Sequence, residues 1–146
     1  MPSAWTGRTV SQENVELARR GYEALNEALR TGIFQEAIDA FCDPDIVLVP
    51  SGILPESTEM HGHDGMRLFL DVQTEAFEDF FVEPQTFIDA GPQIVVPVRF
   101  GGRARHTGLD VTFEVVHVLT ARDGKWTRID VYPSEAEALK AVGLED

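Results

Sequence analysis

Asp123-Gly124 is the point from which the chemistry of this sequence can be reasoned, because Asp-Gly between two alternating apolar runs signals a two-residue β-hairpin turn. Such a turn opposes Arg122 and Lys125. Counting outward, it then pairs Ala121 with Trp126, Leu119 with Arg128, His117 with Asp130 and Val115 with Tyr132, all on one face. Directly opposed Cβ atoms lie about 4.5 to 5.5 Å apart, within hydrogen-bonding reach for an imidazole and a carboxylate. The same face carries Val111, Phe113, Val115 and Leu119, so the His117/Asp130 pair is expected in apolar surroundings. Two readings stand side by side: a general acid or base working near neutral pH with Asp130 orienting the ring, or a structural ion pair of the core.

Other residue types could join that pair. Tyr22 falls on the apolar stripe of a helix, where its hydroxyl needs a partner or donates into a pocket. Arg128 and Tyr132, diagonal to His117, would set the polarity of a pocket floor. Phe41, Val49, Phe69 and Phe77, with Phe113 and Val115, would form its walls. His61 and His63 flank Gly62 in MHGHDG; the expectation is one histidine at a pocket rim, with no metal bound, although His-x-His before Asp64 also has ligand spacing. No Gly-rich phosphate loop, G-x-S-x-G elbow or H-E-x-x-H helix is present, so nucleotide and serine-hydrolase chemistry fall away.

Those residues need elements to position them. Residues 1–8 carry no periodicity and read as a flexible arm, with Trp5 available to fold back; 9–146 read as one domain. Ser11 suits an N-cap, with Val10 placed to staple against Val15. Val15, Ala18, Tyr22, Leu25 and Leu29 form a helical stripe that Gly32 ends. A short helix follows over 34–41 until Asp43-Pro44 breaks it, then a strand over 46–49. The stretch 50–61 is loop-like, and Asp64 can cap a helix carrying Met66, Phe69, Leu70, Gln73, Phe77 and Phe80 on one side. From Val82 onward the period changes to two, with turns at Ala90-Gly91-Pro92, Gly101-Gly102 and Asp123-Gly124. A capping box from Ser134 to Glu137 opens a last helix that Gly143 ends. The order predicts an α+β fold: an antiparallel sheet with helices gathered on one face.

The totals set outer limits. A length of 146 residues with 43% hydrophobic and 25% charged residues is that of one ordinary globular domain. Twenty-five acidic against twelve basic residues, a formal charge of -13, repel a phosphate backbone or an anionic membrane. Neither nucleic acid nor membrane is therefore an expected partner. The basic cluster Arg99, Arg103, Arg105 and His106 reads as a solvated hairpin tip. The lone Cys42 forms no internal disulfide, and no apolar run is long enough to span a bilayer, so a cytoplasmic location is expected. The opposite face of the last hairpin, read as Val116, Val118, Ile129 and Val131, is also apolar; the expectation is a homodimer through that outer face.

The segments SQENVELARRGYEALN, FCDPDIVLVP, MHGHDGMRLFL and VVHVLTARDGKWTRIDVYPSEAEALKAVGL, in this order and spacing, resemble the SnoaL-like branch of the superfamily of nuclear transport factor two, ketosteroid isomerase and limonene epoxide hydrolase. That resemblance implies a cone: a curved antiparallel sheet with three helices packed on its concave face, enclosing one pocket. It places Tyr22 at the isomerase's pocket tyrosine and His117 where that enzyme carries its proton-donating aspartic acid. The isomerase's general-base aspartate falls near Pro50, which has no titratable group and argues against that reaction. The cyclases' catalytic aspartate has Ser134 among its nearest matches. The implied function is a cofactor-independent protein acting on a compact apolar ligand as an isomerase or cyclase; the alternatives are a non-catalytic ligand-binding or dimerisation module, and an epoxide hydrolase.

Overall fold

The computed structural model describes residues 10–50 and 58–144. Trp5, the arm before the first helix and the Val10/Ser11 capping group fall outside the described side chains. Along the chain run α1 (Val10–Thr31), α2 (Gln35–Phe41), β1 (Cys42–Val49), β2 (Met60–His61), α3 (Gly62–Ala76), β3 (Phe77–Pro84), β4 (Ile88–Ala90), β5 (Gln93–Ala104), β6 (Asp110–Arg122), β7 (Lys125–Tyr132) and α4 (Glu135–Ala141). The strands form one curved, unclosed sheet in the order β2-β1-β7-β6-β5-β3, with β4 paired to β5. It is mixed rather than purely antiparallel, because β1 runs parallel to β7. The two irregular positions Asp43 and Pro44 are absorbed inside β1, where the pairing with β7 slips between Cys42 and Val47.

The first helix follows its stripe. Leu17, Ala18, Tyr22 and Ala28 are buried, and Gly32, at φ 79°, ends it in the left-handed conformation. Helix α3 departs from expectation at its far end: it stops at Ala76, and Phe77 and Phe80 belong to β3. Both rings nevertheless face the core and stack at 5.9 Å, because the pairing of β3 with β5 slips between Glu78 and Phe81 around Asp79, whose φ is 54°. A bulge puts residues three apart on one face, and that spacing imitates a helix.

Gly101-Gly102 is likewise not a turn. Strand β5 runs through both, and a Cβ on Gly101 would sit 2.0 Å from the Val111 carbonyl oxygen, one on Gly102 2.6 Å from that of Glu78. These glycines let neighbouring backbones approach closely. The reversal comes further on, with Gly108 at φ 72°. Around this tip Arg99 faces Glu114, Arg103 faces Asp110 and Arg105 faces Glu78 in solvent-exposed ion pairs.

The core has two parts. Inside the curve, α1, α2 and α3 pack with Ile46, Val82, Ile94, Val96, Val98, Leu119 and Trp126. On the outer face Val95, Val116 and Val118 are covered by Ala138 of α4, with Leu139 and Val142 beside it. Ser134 caps α4 by accepting a hydrogen bond from the Glu137 amide at 3.3 Å, which gives it a structural task. No helix among the described residues is long and apolar enough to cross a membrane.

Candidate functional site

The hairpin at Asp123-Gly124 forms with Arg122 opposite Lys125 and Ala121 opposite Trp126, as its sequence predicts. Beyond that the register slips. Thr120 pairs with Arg128, so β7 holds one extra residue at Thr127, whose hydroxyl donates to the Thr120 carbonyl at 3.2 Å. A slip of one residue turns every later side chain of β7 to the other face. His117 therefore opposes Val131, and Asp130 opposes Val118. The expected His117/Asp130 dyad does not exist.

Asp130 is buried on the outer face instead, where both its oxygens accept from Arg128 Nε at 3.0 and 3.2 Å. That hydrogen bond raises the pKa of the Arg128 guanidinium. Arg128 and Tyr132 share the outer face, so neither sets the polarity of a pocket floor. Ile129 and Val131, assigned by spacing to the outer face, point inward.

What faces His117 is Tyr22. The hydroxyl lies 2.8 Å from His117 Nδ1, and the rings stack at 5.9 Å with 13° between their planes. Burial lowers the His117 pKa to about 4 and raises that of Tyr22, so both are neutral at pH 7. A phenol is the stronger donor and an imidazole nitrogen the stronger acceptor, so Tyr22 donates to Nδ1 and the ring proton resides on Nε2. His117 Nε2 has no partner among the described residues and is not sealed off, and the space this side chain lines is a cavity.

The cavity holds about 370 Å³ between the three inner helices and the concave sheet. Phe41, Phe69 and Val115 line it. Val49, His61, Phe77 and Phe113 do not. In β1 it is Leu48, paired with Ile129, that points inward, and in β2 it is Met60. His61 is exposed beside Glu59 at 3.4 Å. Phe77 packs on the core away from the cavity, and Phe113, 46% exposed, stacks on Phe100 at 5.2 Å near the far end of the β5/β6 hairpin. Pro50, at the position matched to the isomerase's base, does line the wall.

Among the described residues no Asp, Glu, Lys or Arg lines this space; its polar side chains are Tyr22, His117, Gln73, Trp126 and Cys42. Burial pushes the Cys42 thiol up to about 11, so it offers no thiolate near neutral pH. A histidine-carboxylate contact occurs elsewhere, at His63, whose Nδ1 lies 3.4 Å from Asp39 and whose Nε2 donates to the Cys42 carbonyl at 2.9 Å. No group of three or more His, Cys, Asp or Glu among the described residues is placed to hold a metal.

Asn26 escaped the sequence reading and matters most for Tyr22. Its side chain exchanges two hydrogen bonds with the backbone of Val82 at 2.7 and 3.1 Å and donates to the Tyr22 carbonyl at 3.1 Å. Because β3 is an edge strand, the amide stands in for a missing neighbour and fixes α1 at the turn carrying Tyr22. Its spacing four residues after Tyr22 was the available signal; its partner is 56 residues away.

The family model of the SnoaL-like domain matches residues 18–129. No curated protein matches the chain in sequence. Among solved structures, a Jannaschia sp. CCS1 protein provisionally called a SnoaL-like polyketide cyclase is similar at 17% identity with a TM-score of 0.71, covering 95% of this chain and 98% of that one. An NTF2-like protein of unknown function from Burkholderia pseudomallei is similar at 24% identity and a TM-score of 0.66, covering 89% and 97%. TerC, co-crystallised with polyporic acid, is similar at 22% identity and a TM-score of 0.65, covering 90% and 98%. At these identities the likeness carries the fold.

Proposed function

This chain belongs to the SnoaL-like domain family, and from that premise we propose that it binds a compact, largely apolar small molecule in the cavity, with His117 Nε2 donating a hydrogen bond to an oxygen of the ligand. The observation that carries this reading is the 2.8 Å contact between Tyr22 and His117 Nδ1, two neutral groups in an apolar enclosure. By donating to Nδ1, Tyr22 holds the ring orientation and polarises the Nε2–H. A donor so placed stabilises negative charge developing on a carbonyl oxygen, which suits a cofactor-independent isomerisation or cyclisation. Tyr22, rather than Asp130, is the orienting group. The structural neighbour held with polyporic acid supports a small-molecule ligand.

A second reading, binding without turnover, is favoured by the lack of any carboxylate among the described cavity-lining residues, since proton abstraction needs a base. Native mass spectrometry of the purified protein tests the shared premise. A small molecule retained by the wild type and lost from His117→Ala and Tyr22→Phe supports it; one retained equally by all three refutes the role given to this pair.

A further inference from the structure

Trp126 is buried at 4% exposure, yet its indole N–H has no hydrogen-bond acceptor among the described residues. Buried indoles normally find one. Nor is the nitrogen sealed in packed protein: it keeps accessible surface, and the space the indole lines is the cavity. The ring stands beside Gly21, where a side chain would bring a Cβ within 3.4 Å of Nε1. Glycine next to Tyr22 thus leaves the indole edge uncovered.

His117 Nε2 is the other unpartnered donor of the same enclosure. Trp126 opposes Ala121, four residues along β6 from His117, which is about 13 Å of strand at roughly 3.3 Å per residue. Two donors so separated call for two acceptors rather than one shared oxygen. Gln73, the remaining amide of the wall, carries no charge, and a charged ligand would find no counterion among the described lining residues.

We infer that Trp126 is a second recognition donor, and that the ligand is an uncharged ring compound with two oxygen acceptors, one taken by His117 Nε2–H and the other by Trp126 Nε1–H. This rests on the reading that the cavity binds a small molecule.

Three bicyclic probes with no, one and two carbonyls, namely naphthalene, 2-acetylnaphthalene and 2,6-diacetylnaphthalene, the last with its oxygens at opposite ends of the ring system, test it by NMR on the full chain, with 2-naphthoate as the charged control. The indole ¹H–¹⁵N signal of Trp126 is identified by its loss in Trp126→Phe, and methyl signals of Val115 and Leu119 report entry into the cavity. The expected result is a downfield indole shift at saturation with 2,6-diacetylnaphthalene and none with naphthalene. Trp126→Phe then weakens 2,6-diacetylnaphthalene about tenfold, the usual effect of one buried hydrogen bond, and leaves naphthalene unchanged. An indole signal that stays still while the cavity methyls move overturns the assignment, as does an equal loss of all three probes or tight binding of the carboxylate. If no probe moves the methyls, the small-molecule reading itself fails and the assignment falls with it. The wild-type shifts decide the matter even where the phenylalanine variant folds poorly.

Discussion

At neutral pH His117 is an uncharged imidazole whose ring is fixed on one side by Tyr22 and open on the other. Its folded pKa of about 4 lies below the roughly 6.5 of an unfolded chain, so the unfolded state binds the proton more readily. Stability from this group is therefore present above pH 6.5 and lost as pH falls towards 4. The whole effect amounts to about 3 kcal/mol at most. Urea unfolding of the wild type and His117→Gln between pH 4 and 7 is expected to show a steeper acid loss in the wild type; parallel curves would mean that the ring is not desolvated as described. Acidification also removes the Nδ1 lone pair that accepts from Tyr22, so ligand affinity is expected to fall only as pH approaches 4, where the folded ring itself takes up the proton.

At the level of elements, the site depends on three local departures from regular geometry. The Thr127 bulge in β7 turns Ile129 and Val131 inward and sends Asp130 out; the Asp79 bulge in β3 brings Phe77 and Phe80 to one face; and the Asn26 side chain completes the edge of β3 while gripping α1. Asn26→Ala removes three hydrogen bonds and leaves the Val82 amide and carbonyl without their partner, which is expected to cost about 2 to 3 kcal/mol. A urea midpoint unchanged from wild type would show that the clamp carries no load. The Tyr22–His117 contact is expected to loosen with it, seen as a moved His117 ring ¹⁵N signal.

For the whole molecule, the apolar outer face has an internal answer in part, because α4 already covers Val95, Val116 and Val118. What lies beyond α4 on β5 and β6 is a ladder of exposed ion pairs, Arg99 with Glu114 and Arg103 with Asp110. We propose a homodimer through that remaining outer face, held by polar rather than apolar contacts, so weakened by salt. Sedimentation velocity at micromolar concentration is expected to give twice the 16.2 kDa chain mass at low salt and a shift towards it at high salt. A single 16.2 kDa species in both conditions ends the idea.

Periodicity and turn chemistry carried the helices α1, α2 and α4, the tight turn at Asp123-Gly124 and the Tyr22 stripe, because each rests on interactions between residues close in sequence. The loose motifs in their order carried the family. Tyr22 and His117 were both named from the chain, but their partnership was not, since 95 residues separate them and only the packing of α1 across the sheet brings them together. The bulge at Thr127 was equally invisible: an extra residue in a strand is stabilised by what the two faces bury, and no local pattern in KWTRIDVY prefers it. Tertiary burial decided that Ile129 and Val131, rather than Arg128 and Asp130, face the cavity, because an arginine and a carboxylate facing inward would lose their hydration among apolar walls, while on the outside they pair at the edge of solvent.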